Sequence, residues 1–376
     1  MDSNFIFKAG KYKKQKDYSS FYPSLLNQNY YPQDEDIYKL AEDAAIALGK
    51  LDALAHGFHD IDQFIYMFTT KESTSSNRIE GTKTAFDEAL LPDIEINPER
   101  KDDYQEVQNY INAINQAIID LDKLPLSMRL LTKAHQNLLC GVRGKHKLPG
   151  EIRKSQNWIG GSSLKDAFYI PPHHDDLAEL LTDLEKFLHN DALNIPDLIK
   201  IGIAHYQFEA IHPFLDGNGR TGRLLIILYL IDKGLLSKPV LQISDFFDKN
   251  RNSYYDSLTL VKSQDNLDQW VKFFLVGIKE TSDNSSQILK SIFDIKQHYS
   301  MKILSMGRRA KNAMKLFDLL FFQPIIEYKA ASAKLGLSQP SVNKLFDDFC
   351  KLGILKETTG KKKDRLYRFE PYISLF

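Results

Sequence analysis

Cysteine is nearly absent: the 376 residues hold only Cys140 and Cys350, too far apart in sequence to form a metal or redox motif. That excludes a disulfide scaffold and a zinc finger, and it suits a reducing compartment, with both thiols expected in the interior. Long apolar runs are absent as well. The longest, Leu224 to Ile231, has eight residues, against about twenty for a membrane-spanning helix. No apolar segment follows the polar, basic stretch Met1 to Lys16, so no secretory leader and no membrane contact are expected. Net charge is missing too, since 49 Lys and Arg face 49 Asp and Glu. The molecule as a whole is therefore no polycation for nucleic acid. Internal repeats and low-complexity tracts are lacking. What is there, 43% hydrophobic and 26% charged residues, is the balance of a soluble globular protein of two or three units, expected in the cytoplasm.

Helical spacing dominates. Leu40, Ala44, Ala45, Leu48 and Leu51 recur at intervals of three or four, as do Leu177, Leu180, Leu181, Leu184 and Leu188, so the fold class is mainly α. The second of these helices follows Pro171-Pro172-His173-His174-Asp175-Asp176, where an aspartate can cap the first turn. The two adjacent histidines are expected to diverge as a solvated cap and not to hold a metal, and His205 to pack in a helix face. Between Asn157 and Ile170, aromatic and β-branched pieces flank a Gly/Ser turn and predict a small β-hairpin with an open edge. Composition shifts near residue 280: residues 301 to 376 carry 15 basic against 7 acidic side chains, which predicts a basic C-terminal module on an acidic body.

Chemistry concentrates in Ile211-His212-Pro213-Phe214-Leu215-Asp216-Gly217-Asn218-Gly219-Arg220-Thr221-Gly222-Arg223, which runs directly into the apolar stretch. Two glycines around Asn218 allow positive φ and bring N–H groups close to a ligand, while a helix start adds its positive dipole end. That pattern is an anion site, and phosphate is its common occupant. Arg220 and Arg223, one helical turn apart, offer two guanidinium forks. Asp216 is a hard oxygen ligand, enough for Mg²⁺ on phosphates. His212, with an ordinary pKa near 6.5, can take the proton of a hydroxyl nucleophile.

The segment resembles the signature of the Fic family, His-Pro-Phe-x-Asp/Glu-Gly-Asn-Gly-Arg-x-x-Arg, at all nine fixed positions. The resemblance implies a Fic-type helical bundle with a hairpin flap. It also implies a protein adenylyltransferase that moves AMP from ATP to a Ser, Thr or Tyr hydroxyl of a target, or of itself, and releases pyrophosphate. Carried over, His212 is the general base, Asp216 the Mg²⁺ ligand and Phe214 the anchor of the loop. Gly217, Asn218, Gly219, Arg220, Thr221, Gly222 and Arg223 hold the phosphates, and Tyr254 and Tyr255 lie near adenosine. The 157–170 hairpin is the expected dock for the target's main chain.

Upstream, Ser76, Glu80 and Gly81 match Ser/Thr-x-x-x-Glu-Gly/Asn, which is similar to the family's inhibitory helix. By that resemblance Glu80 pairs with Arg223 and blocks the γ-phosphate position. Towards the end, the helix–turn–helix pattern of Lys329 to Ile354 and the Lys361-Lys362-Lys363 hairpin tip look like a winged helix. Such a module, within residues 329–369, serves either DNA or protein contacts, including a homodimer; Asp347 and Asp348 count against DNA. The expected division is an inhibitory region over 1–105, a catalytic core over 106–290 and a winged-helix domain over 300–376. Two rival functions stay open: a nucleotide-sensing DNA-binding regulator, and a de-adenylylating or other phosphate-group transferase.

Overall fold

The computed structural model describes residues 7–58, 60–141, 143–361 and 363–376; Met1 to Ile6, His59, Val142 and Lys362, the last within the expected basic hairpin tip, lie outside them. The chain opens with an antiparallel hairpin, β1 (Gly10–Lys14) and β2 (Ser19–Pro23). Helices α1 (Asp36–Gly57), α2 (Asp62–Ile79), α3 (Phe86–Ala89), α4 (Lys101–Leu121) and α5 (Met128–Leu138) follow. On α1 the buried face is Ile37, Ala41, Ala44, Leu48 and Leu51; Ala45, expected inside, faces solvent. Helix α2 is unusual because its last half is polar yet buried, from Thr69 to Asn77 except Lys71. Its short polar side chains satisfy themselves on the preceding turn: Thr69 and Thr70 donate to the carbonyls of Ile65 (3.0 Å) and Tyr66 (2.6 Å), and Asn77 donates to that of Ser73 (2.9 Å). Gly81, at φ +95°, ends the run.

After a loop come α6 (Leu177–His189), α7 (Asp197–Ile211), α8 (Asn218–Asp232), α9 (Ile243–Lys249), α10 (Arg251–Gln264) and the long α11 (Leu267–Leu304). Residues Leu224 to Leu230 of α8 are all fully buried, as expected for a helix apolar on every side, and α7 packs along it. The cap of α6 differs from expectation. Asp176 makes no capping bond, whereas His173 accepts the Asp175 N–H through Nδ1 at 3.4 Å. The ligand atoms of His173, His174 and Asp175 converge within 4.8 Å instead of diverging, and the cap already engages His173.

Helix α11 runs unbroken through 290–300 and ends at Leu304; after a turn come α12 (Ala310–Phe322), β3 (Ile325–Glu327), α13 (Tyr328–Leu335), α14 (Gln339–Lys351), β4 (Lys356–Glu357), β5 (Leu366–Arg368) and α15 (Glu370–Ile373). The three short strands form one antiparallel sheet in the order β3, β5, β4. Both cysteines, expected inside, are exposed: Cys350 sits near the end of amphipathic α14 on its outer face, and Cys140 just after α5. No helix among the described residues is long and apolar enough to cross a membrane.

Candidate active site

Helix α7 stops at His212, whose left-handed backbone (φ +51°) turns the chain and which Pro213 follows. Proline cannot continue the helix, and a non-glycine residue held at positive φ is strain of the kind found at functional sites. The loop re-enters α8 through Gly217, also left-handed (φ +74°) and lacking any capping side chain, so no cap occupies the first N–H groups of α8, which have no partner within the helix. Phe214 is fully buried and lies flat on the His135 ring at a centroid distance of 3.8 Å.

The Asn218 side chain bridges both ways to Phe214, accepting its N–H at 2.8 Å and donating to its carbonyl at 2.9 Å. Thr221 donates to the Gly217 carbonyl at 2.8 Å, and Gly222 backs onto Glu209, whose Oε1 would stand 2.3 Å from any added Cβ. These residues shape the turn, and what they can offer an anion comes from the main chain. Asp216 is a half-exposed carboxylate whose Oδ1 accepts the Gly217 N–H at 2.6 Å and lies 3.6 Å from Arg220. As a hard, solvent-reachable oxygen beside an anion cradle it suits Mg²⁺.

Arg220 is buried among Asn77, Glu106 (3.3 Å) and Asp216. Arg223 is 1% exposed and directs Nε and Nη2 at the end of α2. Nε donates to Ser76 Oγ at 2.9 Å, and Nη2 donates to the Ser76 carbonyl at 3.0 Å and to Glu80 Oε1 at 2.7 Å. Burial raises the Glu80 pKa, but the Arg223 charge and hydrogen bond outweigh it and the net shift is downward. Gly219 leaves room for this pairing, because a Cβ there would meet Glu80 Oε1 at 2.3 Å and displace the carboxylate. Ser76, Glu80 and Gly81 thus occupy a helix end and the turn after it, not a helix start.

Desolvation pulls the His212 imidazole down to about 4, and the Arg153 cation adds to this. At neutral pH the ring is uncharged and able to accept a proton. A cavity of about 480 Å³ opens along the C-terminal half of α7, lined by Phe168, Tyr206, Glu209, Arg251, Tyr255 and Lys262 among others. The expectation of a tyrosine pair at this cavity needs correction. Tyr255 lines it, but Tyr254 is 1% exposed, stacked on Phe247 at 4.6 Å and tied to His205 at 2.9 Å. Neighbouring helical residues point about 100° apart, so one ring faces the cavity and the other the core.

The expected hairpin is shorter than a two-stranded ladder. A single bridge joins Ile159 and Tyr169; Gly160 and Gly161 turn left-handed, and Asp166 collects the Ser162 and Ser163 N–H groups at 2.8 Å each, closing the loop on itself. One side is covered, because Phe21 of β2 donates to the Ile170 carbonyl at 2.9 Å. The uncovered edge is that of Ile159.

Comparison with known proteins agrees with this geometry. The Fic/DOC family N-terminal model matches residues 38–119 and the Fic/DOC family model residues 125–230. The chain belongs to the Fic/DOC family. The Fic match covers α5 to α8 with the His212 to Arg223 turn, and the N-terminal match covers α2 with Glu80. Among curated relatives, the protein adenylyltransferase Fic of Drosophila yakuba is 31% identical over 171 residues, 45% of this chain and 31% of the relative. That of Drosophila willistoni is 28% identical over 204 residues, 54% and 37%. The chain thus spans about a third of the length of the curated relatives it matches. Two solved structures share the fold. A Fic family protein from Desulfovibrio desulfuricans has a TM-score of 0.58 at 21% identity over 91% of this chain and 98% of its own. A Fic domain containing signaling protein from Bacteroides thetaiotaomicron has a TM-score of 0.54 at 17% identity, over 66% and 95%.

Four residues of this Fic site carry no motif. Arg153, 1% exposed, threads under the loop and donates to the carbonyls of Pro172 (2.6 Å), His212 (2.9 Å) and Ser155 (3.1 Å); burial lowers its pKa to about 10. His135 accepts the Gly150 N–H at Nδ1, so Nε2 carries the proton donated to the Asp216 carbonyl, both at 2.9 Å. His205, expected as packing in a helix face, is fully buried and donates from Nδ1 to the Gly222 carbonyl at 2.9 Å. Glu209 lies one turn before His212. Only the spacing of His205, Glu209 and His212 on one helix was available in the sequence; the others meet the loop from distant segments.

Proposed function

We propose that this Fic protein is a self-restrained protein adenylyltransferase, moving AMP from ATP to a Ser, Thr or Tyr hydroxyl of a target protein, or of itself, with release of pyrophosphate. The observation that carries this reading is the 2.7 Å contact between Arg223 and Glu80 at the mouth of a glycine-flanked turn that also presents a neutral His212. The attacking hydroxyl oxygen forms a bond to the α-phosphorus. The bond from that phosphorus to the bridging oxygen breaks, pyrophosphate departs, and the hydroxyl proton passes to His212. Phosphoryl chemistry of this kind asks mainly for positioning and charge stabilisation. The α8 N–H groups after Gly217 and the Arg220 guanidinium serve that need. Asp216 would hold Mg²⁺, which when bound neutralises phosphate charge. Glu80 occupies the Arg223 fork and places negative charge where a triphosphate must lie, which is the brake.

The target's main chain would pair along the Ile159 edge, fixing register without demanding a sequence, and Tyr255 would stack near the base. The cytoplasm is the proposed location. We read the C-terminal helices and sheet as a winged-helix module, within a division at about residues 105 and 290–300. Its use in contacts with protein is favoured over DNA because the wing is already docked: Lys361 reaches Glu95 at 2.8 Å and Arg368 reaches Asp87 at 2.7 Å. The test is incubation of wild-type and Glu80→Gly protein, each with and without His212→Ala, with α-labelled ATP and host lysate. Label on protein that requires His212 and increases in Glu80→Gly supports the reading. Removal of AMP from a labelled target, or DNA retardation by the His212→Ala protein without any transfer, would replace it.

A further inference from the structure

We propose that Glu209 determines nucleotide specificity, reading the amine-bearing edge of a purine base in the cavity that it helps to line through its carboxyl oxygens. This rests on the adenylyltransferase reading only in taking that cavity as the base site. The cavity wall is largely apolar and aromatic, with Phe168, Tyr169, Tyr206 and Tyr255, which suits the faces of a flat heterocycle. Such a wall holds many ring systems equally, so discrimination must come from a few convergent polar atoms. Two stand out. Glu209 Oε1 and the Tyr206 hydroxyl are both buried without a hydrogen-bond partner, and both residues line the cavity. They lie one turn apart on α7 and so share a face. Tyr206 is 3% exposed. Buried polar groups are almost always satisfied; Glu209 Oε1 packs against Gly222 of α8 without a partner while the residue lines the cavity wall, and an unpaired carboxyl at that wall marks a place where a ligand's polar edge can complete it.

Arg223 gives Nε and Nη2 to Ser76 and Glu80, and Glu209 Oε1 is left without a hydrogen-bond partner. Burial raises the Glu209 pKa to about 7; Arg223 on α8 opposes this and Glu80 at the end of α2 adds to it. Arg251, Tyr255, Asp256 and Lys262 on α10 face the same cavity, and His212 closes the Glu209 helix. A protonated carboxyl offers one donor and one acceptor, the complement of adenine's ring nitrogen and amine. An ionised carboxylate offers acceptors only, the complement of guanine's two neighbouring donors. The protonated form therefore selects ATP. A site built around such a pair rejects the wrong edge strongly, because mismatched groups are left unpaired.

The test measures ATP and GTP dissociation constants, without target, for wild type, Glu209→Gln, Glu209→Ala and Tyr206→Phe at pH 6 and pH 8, with melting temperatures as the check on folding. In wild type the protonated fraction drops from about nine-tenths to one-tenth over that range, so ATP affinity weakens roughly tenfold and GTP strengthens. Glu209→Gln, which keeps one donor and one acceptor, holds ATP at both pH values and loses the pH dependence. Glu209→Ala loses the preference. Tyr206→Phe weakens both nucleotides together. The proposal is overturned if folded Glu209→Ala and Glu209→Gln keep the wild-type ATP-to-GTP ratio and pH dependence while still binding nucleotide. If neither wild type nor Glu80→Gly binds any nucleotide, the adenylyltransferase reading falls with it.

Discussion

A carboxylate at the rim of a basic pocket can be removed without disturbing the pocket's floor, and Glu80 is such a residue: its side chain is 35% exposed, whereas that of its partner Arg223 is 1% exposed. A hydrogen bond between charged groups contributes about 1.5–3 kcal/mol when dry, and the exposure on the Glu80 side argues for the lower end. Glu80→Gly should therefore raise target labelling by about tenfold, read as incorporated label per unit time at fixed ATP. Equal labelling in the two proteins would remove the brake from the account. Adding His212→Ala should lower the released rate by at least about a hundredfold. The imidazole itself gives a separate test. Because desolvation and Arg153 depress its pKa to about 4, below the ordinary 6.5, His212 is neutral at every pH above about 5. An NMR titration of the free protein should find its ring resonances flat between pH 6 and 8 and shifting only towards pH 4.

At the scale of elements, the turn between α7 and α8 was legible in the sequence because all its parts are consecutive: His212, Phe214, Asp216, the two glycines and the arginines need only one helix end and one helix start. The elements bracing it were not. Arg153 is an ordinary basic residue in a loop until the fold brings the carbonyls of Pro172 and His212 to it. The β1–β2 hairpin has a buried–buried pattern at Phe21 and Ser20, without the alternation that betrays a strand, and β3 is only three residues long. The 157–170 segment was readable as a turn, but the Asp166 bonds that stop its ladder after one bridge depend on loop geometry. These tertiary braces make a prediction. Arg153→Ala strands carbonyls of Pro172, His212 and Ser155, at about 1–3 kcal/mol for each one left buried, and should lower the urea midpoint accordingly. Transfer should fall further than ATP binding, since the segment being loosened carries His212 and not the α8 N–H groups. Arg153→Lys should recover little of either, because one ammonium cannot span carbonyls approached from three directions.

Across the whole molecule, the helix that ends in Glu80 is held from both ends. Its C-terminal half is fastened to the active site through Ser76 and Asn77, and its N-terminal half is packed into the C-terminal module. Phe64 meets Phe321 at 5.2 Å and Tyr372 at 6.4 Å, and Phe68 meets Phe376 at 5.0 Å. Phe376 also stacks on Phe86 at 5.8 Å, just after the Glu80 turn. Phe376 therefore packs on α2 and beside the Glu80 turn at once, although the sequence distance between Phe376 and Glu80 conceals it. If that seat steadies the brake, loosening it should weaken the brake while Glu80 itself stays intact. Tyr372→Ala with Phe376→Ala removes two of the three aromatic partners, and a loss of one or two kcal/mol in the restrained state corresponds to roughly a five- to thirtyfold shift in population. Labelling should increase by several-fold, up to but not beyond the about tenfold of Glu80→Gly, and hydrogen exchange should quicken along α2 more than along α7 or α8. In a Glu80→Gly background the same double substitution should leave the rate unchanged, because no restraint remains to relieve. A rate that rises equally in both backgrounds would show that the module acts on the catalytic turn directly and not through α2.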